Sequence, residues 1–178
     1  MADDITGKRI LIIATDGFEQ SELEVPRDDL KKAGAEVVVA APKAGKIKGW
    51  DETDWGQDVA VDKTLAEVSA YDFDAIVLPG GVINPDKLRT DDQAISLIKD
   101  FAAAGKPIAA ICHAPWLLIQ ADLVDGKRAT GVESVHTDLA NAGASVVDES
   151  VVVDGNIITS RTPKDLPDFV AAIAKAIA

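Results

Sequence analysis

The residue types best suited to covalent chemistry meet at one place, the run Pro107-Ile108-Ala109-Ala110-Ile111-Cys112-His113-Ala114-Pro115. It holds the only cysteine, followed at once by one of two histidines. A thiol becomes a strong nucleophile when it loses its proton, and a neighbouring imidazole can take that proton. The apolar residues before Cys112 predict a strand and those after it a helix, so the cysteine falls in a sharp strand-to-helix turn. Ala110 and Ala114, small residues two positions either side, suit a turn that lifts the sulfur out of a sheet. This is the pattern of a nucleophile elbow with Cys in place of Ser. Unpaired N–H groups and the positive end of the following helix are expected to lower the thiol pKa. The competing reading is a buried cysteine used as a small hydrophobe. The elbow context favours the nucleophile.

Two other strand ends carry residues that such a site needs. One leads into Asp16-Gly17-Phe18-Glu19, the other into Pro79-Gly80-Gly81. A buried Glu19 would hold a proton, donate a hydrogen bond to a thiolate and shuttle that proton during reaction. A solvated Glu19 would be an ordinary acid in a first helical turn. Gly80 and Gly81 would let backbone N–H groups approach a developing oxyanion, or would only make a tight turn. Ligands in open parallel sheets gather beyond the carboxyl ends of the strands, so these three ends can converge although they are far apart in sequence.

The elements that must position them follow from alternating apolar runs and helical stretches. Lys8 to Thr15 and Glu36 to Ala41 are near-continuous β-branched and apolar runs, as expected of strands buried on both faces of a parallel sheet. Between them Phe18 to Ala33 predicts a helix with Gly34 as its stop. The region from Gly45 to Val61 suggests a turn or short hairpin excursion. Asp74 to Leu78 predicts another buried strand, Asp91 to Ala104 an amphipathic helix, and Arg128 to Thr130 and Ser134 to Ala142 a short strand and a helix. Ser150 to Ser160 carries Asp154-Gly155 between apolar residues, a hairpin signal, and Pro163 to Ala178 closes the chain as a helix. The fold class is therefore α/β, a mainly parallel sheet flanked by helices, in one domain spanning residues 1–178.

Composition narrows the partners. The formal net charge is −12, which makes nucleic acid and anionic membranes poor default partners. No apolar stretch approaches the ~20 residues that a spanning helix needs. The opening Met1-Ala2-Asp3-Asp4 is acidic and lacks the basic start of a secretory leader, and one cysteine cannot form an internal disulfide. Both observations favour a reducing cytoplasm. Two histidines and one cysteine show no ligand spacing, so no metal is expected. The first strand runs into Thr15-Asp16-Gly17-Phe18 instead of a GxGxxG loop, so no dinucleotide and no other cofactor is expected. His136 reads as a surface residue of a polar helix, Trp50 and Trp55 as packing, and Arg161 as a structural hydrogen-bond donor.

Together these residues resemble the PfpI family of intracellular peptidase-like proteins, in the superfamily that includes the Parkinson disease protein and shares the class I glutamine amidotransferase fold. The resemblance runs through Arg9-Ile10-Leu11-Ile12, Gly17-Phe18-Glu19, Leu78-Pro79-Gly80-Gly81 and Ala110-Ile111-Cys112-His113. It continues in Asn141-Ala142-Gly143, Val151-Val152-Val153-Asp154-Gly155 and Thr159-Ser160-Arg161. It implies a flavodoxin-like sheet, Cys112 as nucleophile, Glu19 as the carboxyl group touching it and His113 as the adjacent base. In the peptidase-like branch the histidine pairs with an acid of a neighbouring subunit. The matching position here is Asp86, where the family member that defined this role carries Glu. A homo-oligomer, dimer or hexamer, follows from that resemblance.

The chain departs from glutamine amidotransferases of this fold, which use a downstream His-x-Glu motif. Here His136 is followed by Thr137-Asp138. The leading expectation is defence against carbonyl stress, acting on small reactive aldehydes as a cofactor-independent glyoxalase, or on glycated protein side chains as a deglycase. An intracellular cysteine peptidase is the first alternative. A non-catalytic redox sensor or holdase chaperone, with Cys112 oxidised to a sulfenic or sulfinic acid, is the second.

Overall fold

The computed structural model describes residues 3–178. Met1 and Ala2, which open the stretch read above as lacking a leader, lie outside the described residues. In chain order the elements are β1 (Arg9–Ile13), β2 (Phe18–Glu19), α1 (Gln20–Lys32), β3 (Glu36–Ala41), β4 (Lys46–Asp51), β5 (Asp54–Ala60), β6 (Lys63–Thr64) and β7 (Ala75–Leu78). There follow α2 (Ile83–Leu88), α3 (Asp92–Ala103), β8 (Ile108–Ile111), α4 (Pro115–Gln120), β9 (Arg128–Ala129), α5 (His136–Asn141), β10 (Ser145–Val146), β11 (Val151–Asp154), β12 (Ile157–Ser160) and α6 (Leu166–Ile177).

Seven strands form the central sheet in the order β11-β12-β8-β7-β1-β3-β6. All neighbours are parallel except β11 and β12, the hairpin expected around Asp154-Gly155. The apolar runs are continuous because both faces are covered. Along β1, Leu11 and Ile13 join one core with Ile98 and Phe101 of α3 and Leu117 and Leu118 of α4. Ile10 and Ile12 join the other, with Leu23 and Leu30 of α1 and Phe169 and Ile173 of α6. Successive strand residues point to opposite faces, so one apolar run feeds two cores. No helix among the described residues is long and apolar enough to cross a membrane.

The strand order places the site. From β1 the chain winds outward to β3 and β6, then returns to β7 on the other side of β1 and winds out to β8 and β12. The order thus reverses between β1 and β7, where loops leaving the strands diverge and open a crevice. The sequences after β1, β7 and β8 are the three strand ends singled out above.

Two local features differ from the sequence reading, the residues after β1 and helix α2. Phe18 and Glu19 begin no helix: they form β2, paired with Gly49 and Trp50 of β4. The Gly17 N–H donates to the Lys48 carbonyl at 2.8 Å and the Glu19 N–H to the Gly80 carbonyl at 3.3 Å, so this backbone serves neighbouring segments before α1 can start. The excursion from Gly45 to Val61 is a β-hairpin, β4 with β5, one of the two forms expected of it. Helix α2, six residues with Pro85 inside, is too short to show a hydrophobic period. Elsewhere the boundaries agree closely, and Asp91 caps α3 by accepting hydrogen bonds from the N–H groups of Gln93 and Ala94.

Candidate active site

Cys112 follows β8 with φ of 65°, one of three non-glycine residues in the left-handed region among the described residues. Such a backbone costs about 1–3 kcal/mol and persists only where its surroundings impose it. They do so here. The Cys112 N–H donates to the Ser160 carbonyl at 3.1 Å and its carbonyl accepts from the Val132 N–H at 3.0 Å, so both peptide groups are held from either side. The turn aims the sulfur into a cleft of ≈ 340 Å³ lined by Glu19, Glu22, Trp50, Gly81, His113 and Pro163 among others.

The carboxyl group against the thiol belongs to Glu22, not to Glu19. Glu22 lies in the first turn of α1 and is fully buried. Its Oε1 accepts the Gly80 N–H at 3.0 Å, while Oε2 meets no partner of good hydrogen-bond geometry. Gly80 is the hub: a Cβ there would lie 2.6 Å from Glu22 Oε1 and 2.8 Å from Cys112 Cβ. Only glycine lets the three groups close up. Glu19, by contrast, is half-buried at the cleft mouth, where its Oε1 accepts the Glu52 N–H at 3.2 Å. Because Phe18 and Glu19 are extended, α1 begins one residue after Glu19 and the inward position falls to Glu22. The signal was the spacing: Glu22 stands a helical turn along, beside Leu23 on the buried face.

Burial is the first cause of the unusual protonation here. It pushes the Glu22 carboxyl up to about 8, helped by the Glu19 charge and opposed by the N–H groups of Gly80 and Gly81 and by the Cys112 thiol. The Cys112 thiol is also pushed upward, by burial and then by the charge on Glu22, against the N–H groups of Gly81 and His113. The expected lowering at a helix start is thus reversed. Helix α4 has only six residues, and desolvation with a carboxylate in contact outweighs its dipole. The two acids share one dry space, so the pair loses its first proton more readily than its second. A protonated Glu22 removes the repulsion that opposes the thiolate and offers it an O–H donor.

His113 is half-buried, with Nδ1 3.3 Å from Cys112 Sγ and Nε2 3.3 Å from Ser134 Oγ. Burial lowers its pKa, which keeps it a neutral base. Of the two expected oxyanion donors, the Gly80 N–H is committed to Glu22. The Gly81 N–H faces the thiol and Glu22, as the His113 N–H faces the thiol. Asp86 sits exposed on α2 and does not line the cleft.

Asn84, which sequence reasoning missed, is fully buried beneath the glycine loop. Its Oδ1 accepts the Thr15 N–H at 2.8 Å, and its Nδ2 donates to the carbonyls of Pro79 and Gly80 at 2.9 and 3.2 Å. One side chain therefore ties the end of β1 to the end of β7. Trp50 lines the cleft and packs edge-on to Trp55, ring centroids 5.3 Å apart, so its packing role and its place at the rim coincide. Arg161 is engaged by Asp165 at 2.9 Å and by Asp148 at 3.1 Å, the structural role expected. His136 Nε2 meets the Gly131 carbonyl at 2.9 Å.

Comparison with known proteins agrees with this architecture. The family described as DJ-1/PfpI family matches residues 8–176. A protein of Escherichia coli (strain K12) named protein/nucleic acid deglycase 2 is 45% identical over 164 residues, 91% of this chain and 93% of that protein. General stress protein 18 of Bacillus subtilis (strain 168) is 45% identical over 165 residues, 92% of this chain and 94% of its own. The crystal structure of Drosophila melanogaster DJ-1beta superposes with a TM-score of 0.88 at 34% identity, covering 96% of this chain and 91% of that one.

Proposed function

Because this chain belongs to the DJ-1/PfpI family, we propose that it is a cysteine-dependent stress-defence enzyme for reactive carbonyls, working as a cofactor-independent glyoxalase, a protein deglycase or both. The observation that carries this reading is the contact of a strained, cleft-facing thiol with a fully buried carboxyl group whose pKa is raised to about 8. Such a carboxyl holds a proton at neutral pH and can return it, which is what rearranging an aldehyde adduct requires. The names of the relatives support the same reading, one a deglycase and one a stress protein.

With methylglyoxal, the thiolate of Cys112 attacks the aldehyde carbon and the oxygen takes a proton, giving a hemithioacetal. A base removes the hydrogen on that carbon, and the electron pair moves into an enediol. Reprotonation at the adjacent carbon, with loss of the enediol proton, leaves a thioester of lactate. Water then cleaves the thioester, releasing lactate and the free thiol. No electrons leave the substrate, so no redox cofactor is needed. Glu22 is placed to exchange protons beside the sulfur, and His113 to take the thiol proton at Nδ1. In the deglycase version the same thiolate attacks an early carbonyl adduct on a protein side chain.

A peptidase would need donors for the oxyanion of an amide adduct, and the Gly80 N–H already serves Glu22, which sets that reading behind. Redox sensing has one observation in its favour, the buried Glu22 Oε2 without a partner, which could donate to an oxidised sulfur when protonated. The deciding experiment is lactate production from methylglyoxal in an amine-free buffer by wild type and Cys112→Ala. Turnover lost in the variant is expected. Wild-type production no greater than that of the variant would sink the proposal and bring the redox reading forward.

A further inference from the structure

We infer that Glu19 and Glu52 make the mouth of the cleft a cation-selective entrance, so that carbonyl substrates carrying positive charge reach Cys112 in preference to anionic ones. This rests on the proposed function of the site and names the charge class of its substrate. The lining of the cleft grades from a fully buried floor, Glu22 beside the Cys112 thiol, to a rim that carries Glu19, Trp50 and Glu52. Glu22 Oε2 is buried there without a partner, which leaves a polar group of the floor for whatever enters. Among the described residues neither Glu19 nor Glu52 is engaged in an ion pair. A cation approaching the sulfur therefore meets attraction from two carboxylates and an anion meets repulsion. A concave site with low-dielectric walls focuses that field.

The rim is held in place by its own backbone. Glu52 and Thr53 form the turn between β4 and β5, and Glu52 takes φ of 57°, at the position of such a turn that favours glycine. Its N–H donates to Glu19 Oε1 at 3.2 Å and its carbonyl accepts the Trp50 indole N–H at 3.0 Å, so both peptide groups are tied to the cleft. Glycine would adopt this backbone without strain. The residue found there instead adds a charged side chain. Glu19 and Glu52 also lie close enough to interact: burial first, and then the charges on Asp51 and Glu52, push the Glu19 carboxyl up against the effect of the Glu52 N–H. The basic residue of β4 nearest the turn, Lys48, has its ammonium over the Trp55 ring at 5.4 Å and does not line the cleft. Trp50, Val82 and Pro163 supply apolar lining against which the stem of a long cationic side chain can lie. Early carbonyl adducts on lysine or arginine have this shape. Their former carbonyl carbon is bonded to a nitrogen of the cationic group. With that carbon at the sulfur, the cation and its alkyl stem run outward past Glu19. Glyoxylate and phosphorylated aldehydes carry the opposite charge within a few bonds of the reacting carbon.

Cys112 is the only cysteine, so methanethiosulfonate reagents read the potential at its sulfur without any carbonyl chemistry. Failure of the glyoxalase assay and failure of this inference are thereby distinguishable. The thiolate attacks the sulfenyl sulfur and methanesulfinate leaves, and mass spectrometry of the intact protein follows the rate of labelling by the 2-trimethylammonioethyl and the 2-sulfonatoethyl reagent. The ratio of the two rates, divided by the same ratio for 2-mercaptoethanol, cancels the thiolate fraction and the intrinsic reactivity of each reagent. Wild type is expected to favour the cation by about tenfold or more at low salt, falling toward unity in about 1 M salt. Glu19→Gln keeps an acceptor for the Glu52 N–H, and Glu52→Gly keeps the turn. Each should lower the ratio by about three- to fivefold. Asp100→Asn, which removes the same unit of charge from the exposed last turn of α3, should leave it unchanged. The protein is measured in its own assembly, so charge that a partner subunit brings to the site, the acid expected to pair with His113 included, is present in every comparison. A wild-type ratio at or below unity would overturn the inference, as would rim variants that keep the wild-type ratio. An Asp100→Asn effect as large as theirs would also overturn it, by placing the preference in the net charge of −12.

Discussion

Glu19 and Glu22 leave the same stretch of backbone three residues apart and enter two different media. The inner half of the cleft, with Glu22, Cys112, Gly80 and Asn84, is built on the ends of parallel strands. Glu22 and Asn84 there are fully buried. The outer half is the β4–β5 hairpin with Glu19, Trp50 and Glu52 facing water, and neighbouring Trp55 is 43% exposed. Both carboxyls are shifted upward and burial is the first cause for each. For Glu22 the shift is large, to about 8, whereas Glu19 keeps the Glu52 N–H to offset part of it. The difference shows how one chemical group meets two environments, and on the proposed function it assigns them two tasks: the dry wall stores a proton, and the wet wall meets the incoming molecule.

The largest effect should come from exchanging the two acids' chemistry one at a time. Glu22→Gln keeps an oxygen that can accept the Gly80 N–H but no longer exchanges a proton with the substrate. Turnover of methylglyoxal is expected to fall by about 10²–10⁴-fold. Glu19→Gln should cost less than about tenfold, the scale of one hydrogen bond at a half-exposed site. Equal losses, measured as kcat on matched protein, would erase the distinction between the halves.

Stability gives a second way to test it. The Glu22 carboxyl has an ordinary value of 4.5 when unfolded and about 8 when folded. Between those values the folded state binds more protons at this group, so its contribution to stability is greatest below pH 4.5 and is lost as pH rises toward about 8. Glu22→Gln removes that penalty. Relative to wild type it should gain stability across this window, by on the order of a few kcal/mol at the alkaline end. Urea unfolding at pH 5, 7 and about 8.5 reads this directly. A constant difference between the two proteins would place the titrating group elsewhere.

Much of the framework was legible because parallel strands buried on both faces leave a strong mark. Glu36–Ala41, Ile108–Ile111 and the hairpin around Gly155 fall where the apolar runs and the Asp-Gly turn put them. The elbow was legible for a related reason, since the small residues around Cys112 are what a tight turn demands. The identity of the inner carboxyl was not. It depends on whether Phe18 and Glu19 are strand or helix, which is decided by hydrogen bonds to Lys48 and Gly80, residues 31 and 61 positions away. Pattern within one window cannot see such partners. Asn84 was hidden likewise, because its value lies in bridging two loops remote in sequence. Ser134 looked like a helix start, and only the return of residues 132–138 to the elbow brings it to His113.

The smallest expected effect probes the outer wall alone. Trp50 lines the cleft, and its indole N–H donates to the Glu52 carbonyl at 3.0 Å, which fixes the ring at the rim. Trp50→Leu removes an aromatic contact surface and that anchor without touching the thiol, Glu22 or His113. Lost aromatic contact of this kind is worth about 1 kcal/mol, so KM for a glycated side-chain substrate should rise roughly fivefold. The value for methylglyoxal, too small to span the cleft, should move less, and kcat for both should stay within about twofold. A wall that only receives substrate contributes equally to ground and transition states, which is why the effect belongs in KM. If kcat instead fell as it does in Glu22→Gln, the hairpin would be part of the proton machinery and the division between a dry and a wet half would fail.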